Sequence, residues 1–126
     1  MGKNKLEVQI GESRVYLSEE GIMNVDVVGR IDERISNRLK ELGQEFSDMV
    51  GKKLHMLVDL NKAGIPSTGA RRVFQKELKD ERYRKVAFWG LHPVARVIAS
   101  FVMGVSRKKD MRFFKSREEA LAWLKE

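Results

Sequence analysis

Cysteine is absent from this 126-residue chain, and proline and histidine each occur only twice. Without thiols the chain can form neither a disulfide nor a thiolate zinc site nor a cysteine nucleophile. The two histidines, His55 and His92, are too few for a histidine-rich metal cluster. We therefore expect no metal and no other cofactor.

Long apolar runs are also missing. No run approaches the ~18–20 residues that span a membrane. The polar residues 1–5 are not followed by the apolar core of a signal peptide. The sequence therefore predicts neither a transmembrane segment nor a signal peptide, and we expect a cytoplasmic protein.

Positive charge predominates, because 25 Lys and Arg residues against 18 Asp and Glu residues give a net charge of +7. This charge permits an anionic partner, whether nucleic acid, lipid or acidic protein. The basic residues are spread along the chain and form no RNP-like or zinc-finger pattern, so we expect no nucleic-acid partner. The length fits one domain, predicted over residues 1–126.

Hydrophobic periodicity predicts an α/β fold. Alternating apolar residues between Leu6 and Val28 indicate a meander of three antiparallel strands. Helical spacing then alternates with three short apolar runs, which begin at Met56, Val86 and Met111. The predicted order is β-β-β-α-β-α-β-α-β-α, a mixed, mostly parallel sheet of about five or six strands with about four helices.

The segment from Leu54 to Arg72 is the most informative one. An apolar run, typical of a strand buried on both faces, is followed by a predicted loop and then by a helix. Ser67 and Thr68 precede that helix, where a hydroxyl accepts a hydrogen bond from a free backbone N–H and lies at the positive end of the helix dipole. Such an end suits a phosphate, and Gly69 lets the phosphate approach the backbone closely.

Three motifs resemble the STAS superfamily (sulfate transporter and anti-sigma-factor antagonist), and within it the SpoIIAA-like group. Residues 29–32, Gly-Arg-Ile-Asp, are similar to the family's Gly-x-Ile-Asp. Residues 57–60 followed by 66–69, Pro-Ser-Thr-Gly, are similar to its strand and its Asp-Ser-Ser/Thr-Gly motif. Residues 112–124 are similar to its last strand and helix. Together the three motifs cover nearly the whole chain.

The resemblance implies a non-catalytic module that binds a protein partner. In anti-sigma-factor antagonists the serine after the motif's Asp is phosphorylated by a partner kinase, and Ser67 matches that serine. Pro66 stands in place of the Asp. The SpoIIAA-like group is also similar to the CRAL-TRIO lipid-carrier fold, which implies a carrier of an apolar or lipid-like molecule between the third helix and the sheet.

Two sets of candidate site residues follow. The first set lies at the predicted polar edge of the sheet where strands end. Its candidate site for phosphorylation or anion binding is formed by Ser67, Thr68 and Gly69. The strand-end residues predicted beside that site are Asn61, Lys62 and His92. The second is an apolar ligand or interface surface along a helix from Pro93 to about Val105, which is apolar nearly all round. The residues of this second set are Trp89, Val97, Phe101, Val102 and Met103. An apolar surface of this kind also predicts a homodimer.

Enzymatic function is the remaining alternative. His92, Asn61 and Lys62 are at predicted strand ends, where ligands bind in open α/β sheets, and Asp59 lies within an apolar strand, where a carboxylate could have a functional role. The sequence contains no nucleophile elbow, P-loop, paired metal ligands or dinucleotide-binding glycine pattern. We therefore assign no catalytic residue and expect no enzyme.

Overall fold

The computed structural model describes residues 6–103 and 110–126, and it describes side chains for 7–100 and 110–126. The described residues form six strands and four helices in the predicted order. They are β1 Leu6–Ile10, β2 Ser13–Leu17, β3 Ile22–Ile31, α1 Glu33–Val50, β4 Leu54–Pro66, α2 Thr68–Glu77, β5 Tyr83–Trp89, α3 Pro93–Met103, β6 Asp110–Phe114 and α4 Arg117–Leu124.

The strands lie in the sheet in the same order as in the chain. β1, β2 and β3 pair antiparallel, whereas β3, β4, β5 and β6 pair parallel. The short turns of the opening meander join antiparallel neighbours, and a helix joins each parallel pair. The predicted α/β class and the mixed sheet are therefore confirmed.

Helices cover the two faces of the sheet unequally. One face packs against α1, α2 and α3, through buried residues such as Met23, Met56, Phe46 and Ile98. On the other face, α4 is the helix that packs among those described, through Ile22, Leu57, Ala87, Ala120, Trp123 and Leu124. Successive strand residues point to opposite faces, so the continuous apolar runs of β4 and β5 serve both layers.

Three helices begin at an N-cap side chain, and the predicted cap at Ser67 is confirmed. Asp32 accepts from the Ile35 amide, Ser67 from the Ala70 amide and Ser116 from the Glu119 amide. Each side chain thereby satisfies one amide that the helix itself leaves unpaired. Gly51 ends α1 in the left-handed conformation, with φ of 74°.

The loop predicted after Leu60 was wrong, because β4 continues to Pro66. Residues Lys62, Ala63 and Pro66 pair with Val28, Gly29 and Ile31 of β3, so the backbone groups of the expected loop pair with a neighbouring strand instead. Gly64 lies so close to β3 that an added Cβ would be 3.0 Å from the Gly29 carbonyl oxygen. Asn61 and Lys62 are consequently inside a strand and not at its end.

The third helix is not apolar all round. Ala95, Ile98 and Ala99 are buried against the sheet, whereas Val94 and Val97 are each 45% exposed. Arg96 and Ser100 are also exposed, so the helix has one buried side and one mixed, solvent-facing side. The side chains of Phe101, Val102 and Met103, and all of residues 104–109, lie outside the described residues.

Candidate functional site

The N-terminus of α2 is built by the ends of two strands. Parallel β3 and β4 finish together, since Ile31 is the register partner of Pro66. α1 begins two residues after Ile31 and α2 begins two residues after Pro66. The two helix N-termini therefore emerge at the same end of the sheet, and a hydrogen bond from the Ser67 amide to the Ile31 carbonyl, 3.0 Å long, joins them.

Ser67 is exposed, and its Oγ accepts a hydrogen bond of 3.1 Å from the Ala70 amide. Its backbone is extended, with φ of −65° and ψ of 164°, as an N-cap requires. Thr68 is exposed too, and its Oγ1 accepts from the Arg71 guanidinium at 3.4 Å. The structure thus brings both hydroxyls to a solvent-facing helix start, as predicted.

Glu33, the first residue of α1, packs against Gly69 of α2. A Cβ added at Gly69 would collide with Glu33 Oε1 and would be 2.8 Å from its Cδ. The carboxylate of one helix therefore lies at the positive end of the neighbouring helix dipole, a favourable position for a negative charge. It also takes up the space beside Gly69 into which a phosphate was predicted to fit. This contact joins residues too far apart in the sequence for any local signal to predict it.

Asn61 belongs to a different hydrogen-bonded group. Its backbone amide and side-chain amide both donate to Asp59 Oδ1, at 2.9 and 2.8 Å, while its own Oδ1 accepts from the Leu91 amide at 2.9 Å. Asn61 thus ties β4 to the segment that leaves β5. These bonds give Asp59 and Asn61 a local structural role.

His92 lies in that same exit segment, one residue after Leu91, and it is exposed. Its carbonyl accepts from the Ala95 amide at 3.0 Å in the first turn of α3. Lys62 is exposed beside Asn61. Ser67 lies six positions after Asn61, which in an extended strand corresponds to at most about 20 Å. The six residues predicted as one edge therefore do not form one hydrogen-bonded group. Ser67, Thr68 and Gly69 are at the α2 N-terminus, Asn61 and His92 are at the exit of β5, and Lys62 shares a groove with Arg14, Asp26 and Asp59.

The predicted apolar set is divided by the sheet. Trp89 points to the face covered by α4, where it packs with that side's buried cluster. Its neighbour Phe88 points to the other face and belongs to the core beneath α1 to α3. Val97 is on α3, so Trp89 and Val97 cannot line one pocket. Alternation along β5 causes this separation, which proximity in the sequence does not reveal.

An apolar cavity of about 50 Å³ lies between the sheet and the first three helices. Its walls include Val58, Phe88, Leu39, Phe74 and Ile98. A cavity that holds benzene measures about 150 Å³, so this one is too small for a lipid chain.

A buried polar cluster at the far end of α2 escaped the sequence analysis. Tyr83 Oη donates to Glu77 Oε2 at 2.7 Å, and Arg82 Nη1 donates to the same oxygen at 2.6 Å. Burial raises the pKa of Tyr83, and the neighbouring Glu77 charge raises it further. An added Cβ at Gly43 of α1 would collide with the Tyr83 hydroxyl. The cluster joins α1, α2 and β5, and nothing in the local sequence pattern marks these partners.

Two further features concern the described residues alone. No group of three or more His, Asp or Glu side chains among them is arranged to hold a metal ion. None of the helices in this part of the chain has the length and apolarity needed to cross a membrane.

Comparison with known proteins begins with a family model described as Domain of unknown function (DUF7793), which matches residues 16–126. No curated protein sequence matches the chain. Among solved structures, it is similar to an uncharacterised protein of the DUF3478 family with a SpoIIAA-like fold from Shewanella loihica PV-4. The TM-score is 0.63, with 18% identity over 98% of each chain.

The chain is also similar to two structures of SpoIIAA. The anti-sigma factor antagonist SpoIIAA in its unphosphorylated form gives a TM-score of 0.61 at 10% identity, over 90% of this chain and 97% of that one. The Bacillus cell fate determinant SpoIIAA in the phosphorylated form gives 0.57 at 13% identity, over 89% and 98%. At these identities the likeness establishes the fold, and it confirms the SpoIIAA-like resemblance seen in the sequence motifs.

Proposed function

The chain belongs to the family described as Domain of unknown function (DUF7793), and we propose that it acts as a non-catalytic, STAS-like binding module for a protein partner. Ser67 is the proposed switch. The observation that carries this proposal is the exposed Ser67 hydroxyl at the N-cap of α2, beside the N-terminus of α1. We further propose that residues 1–126 work as one domain in the cytoplasm.

The chemistry of this end supports a phosphate on Ser67. A phosphoryl group at a helix N-terminus is stabilised by free amides and by the helix dipole. Arg71 is within reach of the neighbouring Thr68 hydroxyl, so a guanidinium is present in the first turn. SpoIIAA, whose fold is similar, is known in unphosphorylated and phosphorylated forms. By analogy, we propose that a kinase modifies Ser67 here.

Glu33 supports the proposal in a second way. Pro66 occupies the position of the acidic residue in the related motif. The Glu33 carboxylate, which packs against Gly69, supplies an acidic group to the same helix start from α1. A phosphate on Ser67 and this carboxylate repel each other, so we propose that phosphorylation displaces Glu33 and alters the surface that the partner contacts.

Mass spectrometry of protein purified from its own cells tests the modification directly. We expect a phosphopeptide that contains Ser67 and that disappears in Ser67→Ala. Ser116→Ala is the matched control, because Ser116 caps α4 through the same type of hydrogen bond and packs on the other face of the sheet. An unmodified Ser67 under all growth conditions, or a phosphate only elsewhere, contradicts the proposed switch.

The carrier function stays a second proposal, and the apolar cavity beneath α3 is the observation that favours it. Its small volume requires α3 or α2 to move away from the sheet before a lipid-like molecule enters. Native mass spectrometry of the purified chain tests this, and the absence of any bound apolar molecule opposes it. Self-association is a separate proposal, supported by the exposed Leu91, Val94 and Val97, and sedimentation velocity tests it.

A further inference from the structure

Strand β6 forms one outer edge of the sheet. It pairs with β5 on one side, and no other described strand pairs with it on the opposite side. Edge strands present unpaired N–H and C=O groups, which another extended chain can use. This edge is the side of the sheet farthest from β1 and is built independently of the Ser67 end.

The direction of the β6 peptide groups follows from one hydrogen bond. The Gly90 amide donates to the Phe114 carbonyl at 3.2 Å, so the peptide groups of Phe114 face β5. In a parallel ladder this direction alternates from residue to residue. Arg112 and Asp110 therefore also face β5, whereas the N–H and C=O groups of Met111 and Phe113 face outward.

A guanidinium group lies on each face beside this edge. Arg112 of β6 stacks over Phe114 and Trp123 on the α4 side, at 5.9 and 5.8 Å from the ring centroids. Arg96 of α3 stacks over Phe113 on the opposite side, at 5.0 Å. The rings hold both cations beside β6.

Neither of these two arginines forms an ion pair with a described carboxylate. Lys115 and Arg117, which follow β6, are exposed and add two positive charges. Asp110, at the start of the strand, is the acidic residue of β6 itself. Asp110 and Glu126 lie in the same surface groove as Arg112 and Lys85. The edge therefore combines outward-facing backbone groups with one arginine on each face that forms no ion pair with a described carboxylate.

We propose that the outer edge of β6 binds an extended acidic segment of another protein, which adds to the sheet as a further strand. Main-chain hydrogen bonds to Met111 and Phe113 give the alignment, and carboxylates of the segment pair with Arg96 and Arg112. A second copy of this chain is a poor occupant in the register centred on Arg112, because antiparallel pairing then brings Arg112 opposite Arg112, and like charges in that position are unfavourable.

The test uses the full chain and a capped octapeptide, Val-Glu-Glu-Val-Glu-Glu-Val-Glu, which presents carboxylates on both faces when extended. Hydrogen exchange followed by NMR is the readout. We expect the peptide to slow exchange of the Met111 and Phe113 amides by at least about tenfold. The Arg112 amide, already directed at β5, serves as the internal reference.

Control peptides separate strand addition from plain charge attraction. A version N-methylated at every residue has no amide to donate from either edge, so it is not expected to bind, whereas a version N-methylated at every second residue keeps one free edge and binds. A version with Lys in place of Glu is not expected to bind. Binding of the fully N-methylated peptide, or of the Lys peptide, overturns the proposal.

Charge variants of the chain provide the second arm. We expect Arg112→Glu and Arg96→Glu each to weaken binding of the acidic peptide by about fivefold. Arg34→Glu is the matched control, since Arg34 is an exposed arginine on α1 outside this edge, and its substitution leaves affinity unchanged. Thermal unfolding of each variant confirms that it is folded, and the Arg96 variant keeps the test valid if the Arg112 variant unfolds.

Three results would refute strand addition at this edge. One is an absence of peptide binding, which leaves Arg96 and Arg112 as charges that only protect an edge from aggregation. Another is an equal affinity for the acidic peptide in the Arg96→Glu, Arg112→Glu and Arg34→Glu variants. The last is strong protection of the Met111 and Phe113 amides from exchange in the chain without peptide. Protection that does not depend on protein concentration means that the chain itself covers the edge, and protection that rises with concentration means that a second copy covers it.

Discussion

At the scale of single residues, local sequence patterns predict helix caps, whereas contacts between residues distant in the sequence depend on the fold. Ser67 could be predicted as an N-cap, because a hydroxyl before an amphipathic helix is a local signal. The packing of Glu33 against Gly69 could not, because it depends on β3 and β4 ending together. For the same reason Asn61, predicted for a strand end, bonds Leu91 from within a strand.

His55 gives a residue-scale prediction for pH. Burial lowers its pKa from the ordinary value of 6.5, and the positive charges of Lys85, Arg84 and Lys52 lower it further. The folded chain therefore binds a proton at His55 less readily than the unfolded chain does. Above about pH 6.5 His55 is neutral in both the folded and the unfolded chain, and the free energy of unfolding is not reduced. As the pH falls from there through the lowered pKa of the folded chain, the unfolded chain takes up the proton first, and the free energy of unfolding decreases.

We expect the free energy of unfolding in urea to decrease between about pH 7.5 and pH 5.5, above the usual range in which carboxylates titrate. His55→Gln cannot take up this proton, so its unfolding free energy changes less over the same interval. His92→Gln is the control, because His92 is exposed. Parallel pH profiles for the parent and the His55 variant would mean that His55 does not contribute.

At the scale of elements, periodicity predicted the order of all ten but not the ends of the strands, because β3 runs beyond Val28 to Ile31 and β4 runs beyond Leu60 to Pro66. Asn61, Gly64 and Pro66 are turn-forming residues, so the local signal after Leu60 favoured a loop. Pairing with β3 overrides it, and β4 runs to Pro66. That extension carries the chain to the start of α2 and sets the position of Ser67 relative to α1.

Capping of α2 gives the element-scale prediction. Ser67→Ala removes the acceptor of the Ala70 amide, and we expect a loss of about 1 kcal/mol in unfolding free energy. Ser67→Asp keeps an N-cap acceptor and adds a charge that suits the dipole, so we expect its stability to stay within about 0.5 kcal/mol of the parent. Urea unfolding measures both. Equal stability of the parent and Ser67→Ala would contradict the capping role, and a large loss in Ser67→Asp would show strain at this site.

At the scale of the whole molecule, the sequence predicts more of the architecture than of the candidate site. Alternating and helical patterns are set by which face of each element is buried, so they predicted a mixed sheet with four helices. They do not record which face of the sheet each strand residue serves. Trp89 and Val97 were therefore grouped although the sheet lies between them.

The unequal layering leaves two separate surfaces on one molecule. The starts of α1 and α2 lie together at one end, with Ser67 exposed. The β6 edge lies at the side of the sheet. A phosphate at the first surface and an acidic strand at the second both involve negative charge, which agrees with the net charge of +7. The two surfaces can be tested separately, since substitutions at Ser67 do not touch β6.

The measurement that tests the regulated-binding claim most directly compares the proteins retained from an extract of the chain's own cells by three immobilised forms. These forms are the parent chain, Ser67→Asp and Gln44→Glu, and quantitative mass spectrometry measures the retained proteins. Both substitutions add one negative charge at an exposed position, but only the first adds it at the starts of α1 and α2, because Gln44 lies in the middle of α1. We predict at least one protein whose retention changes by about tenfold or more with Ser67→Asp and stays unchanged with Gln44→Glu. Equal retention of every protein by all three forms would contradict the proposed switch.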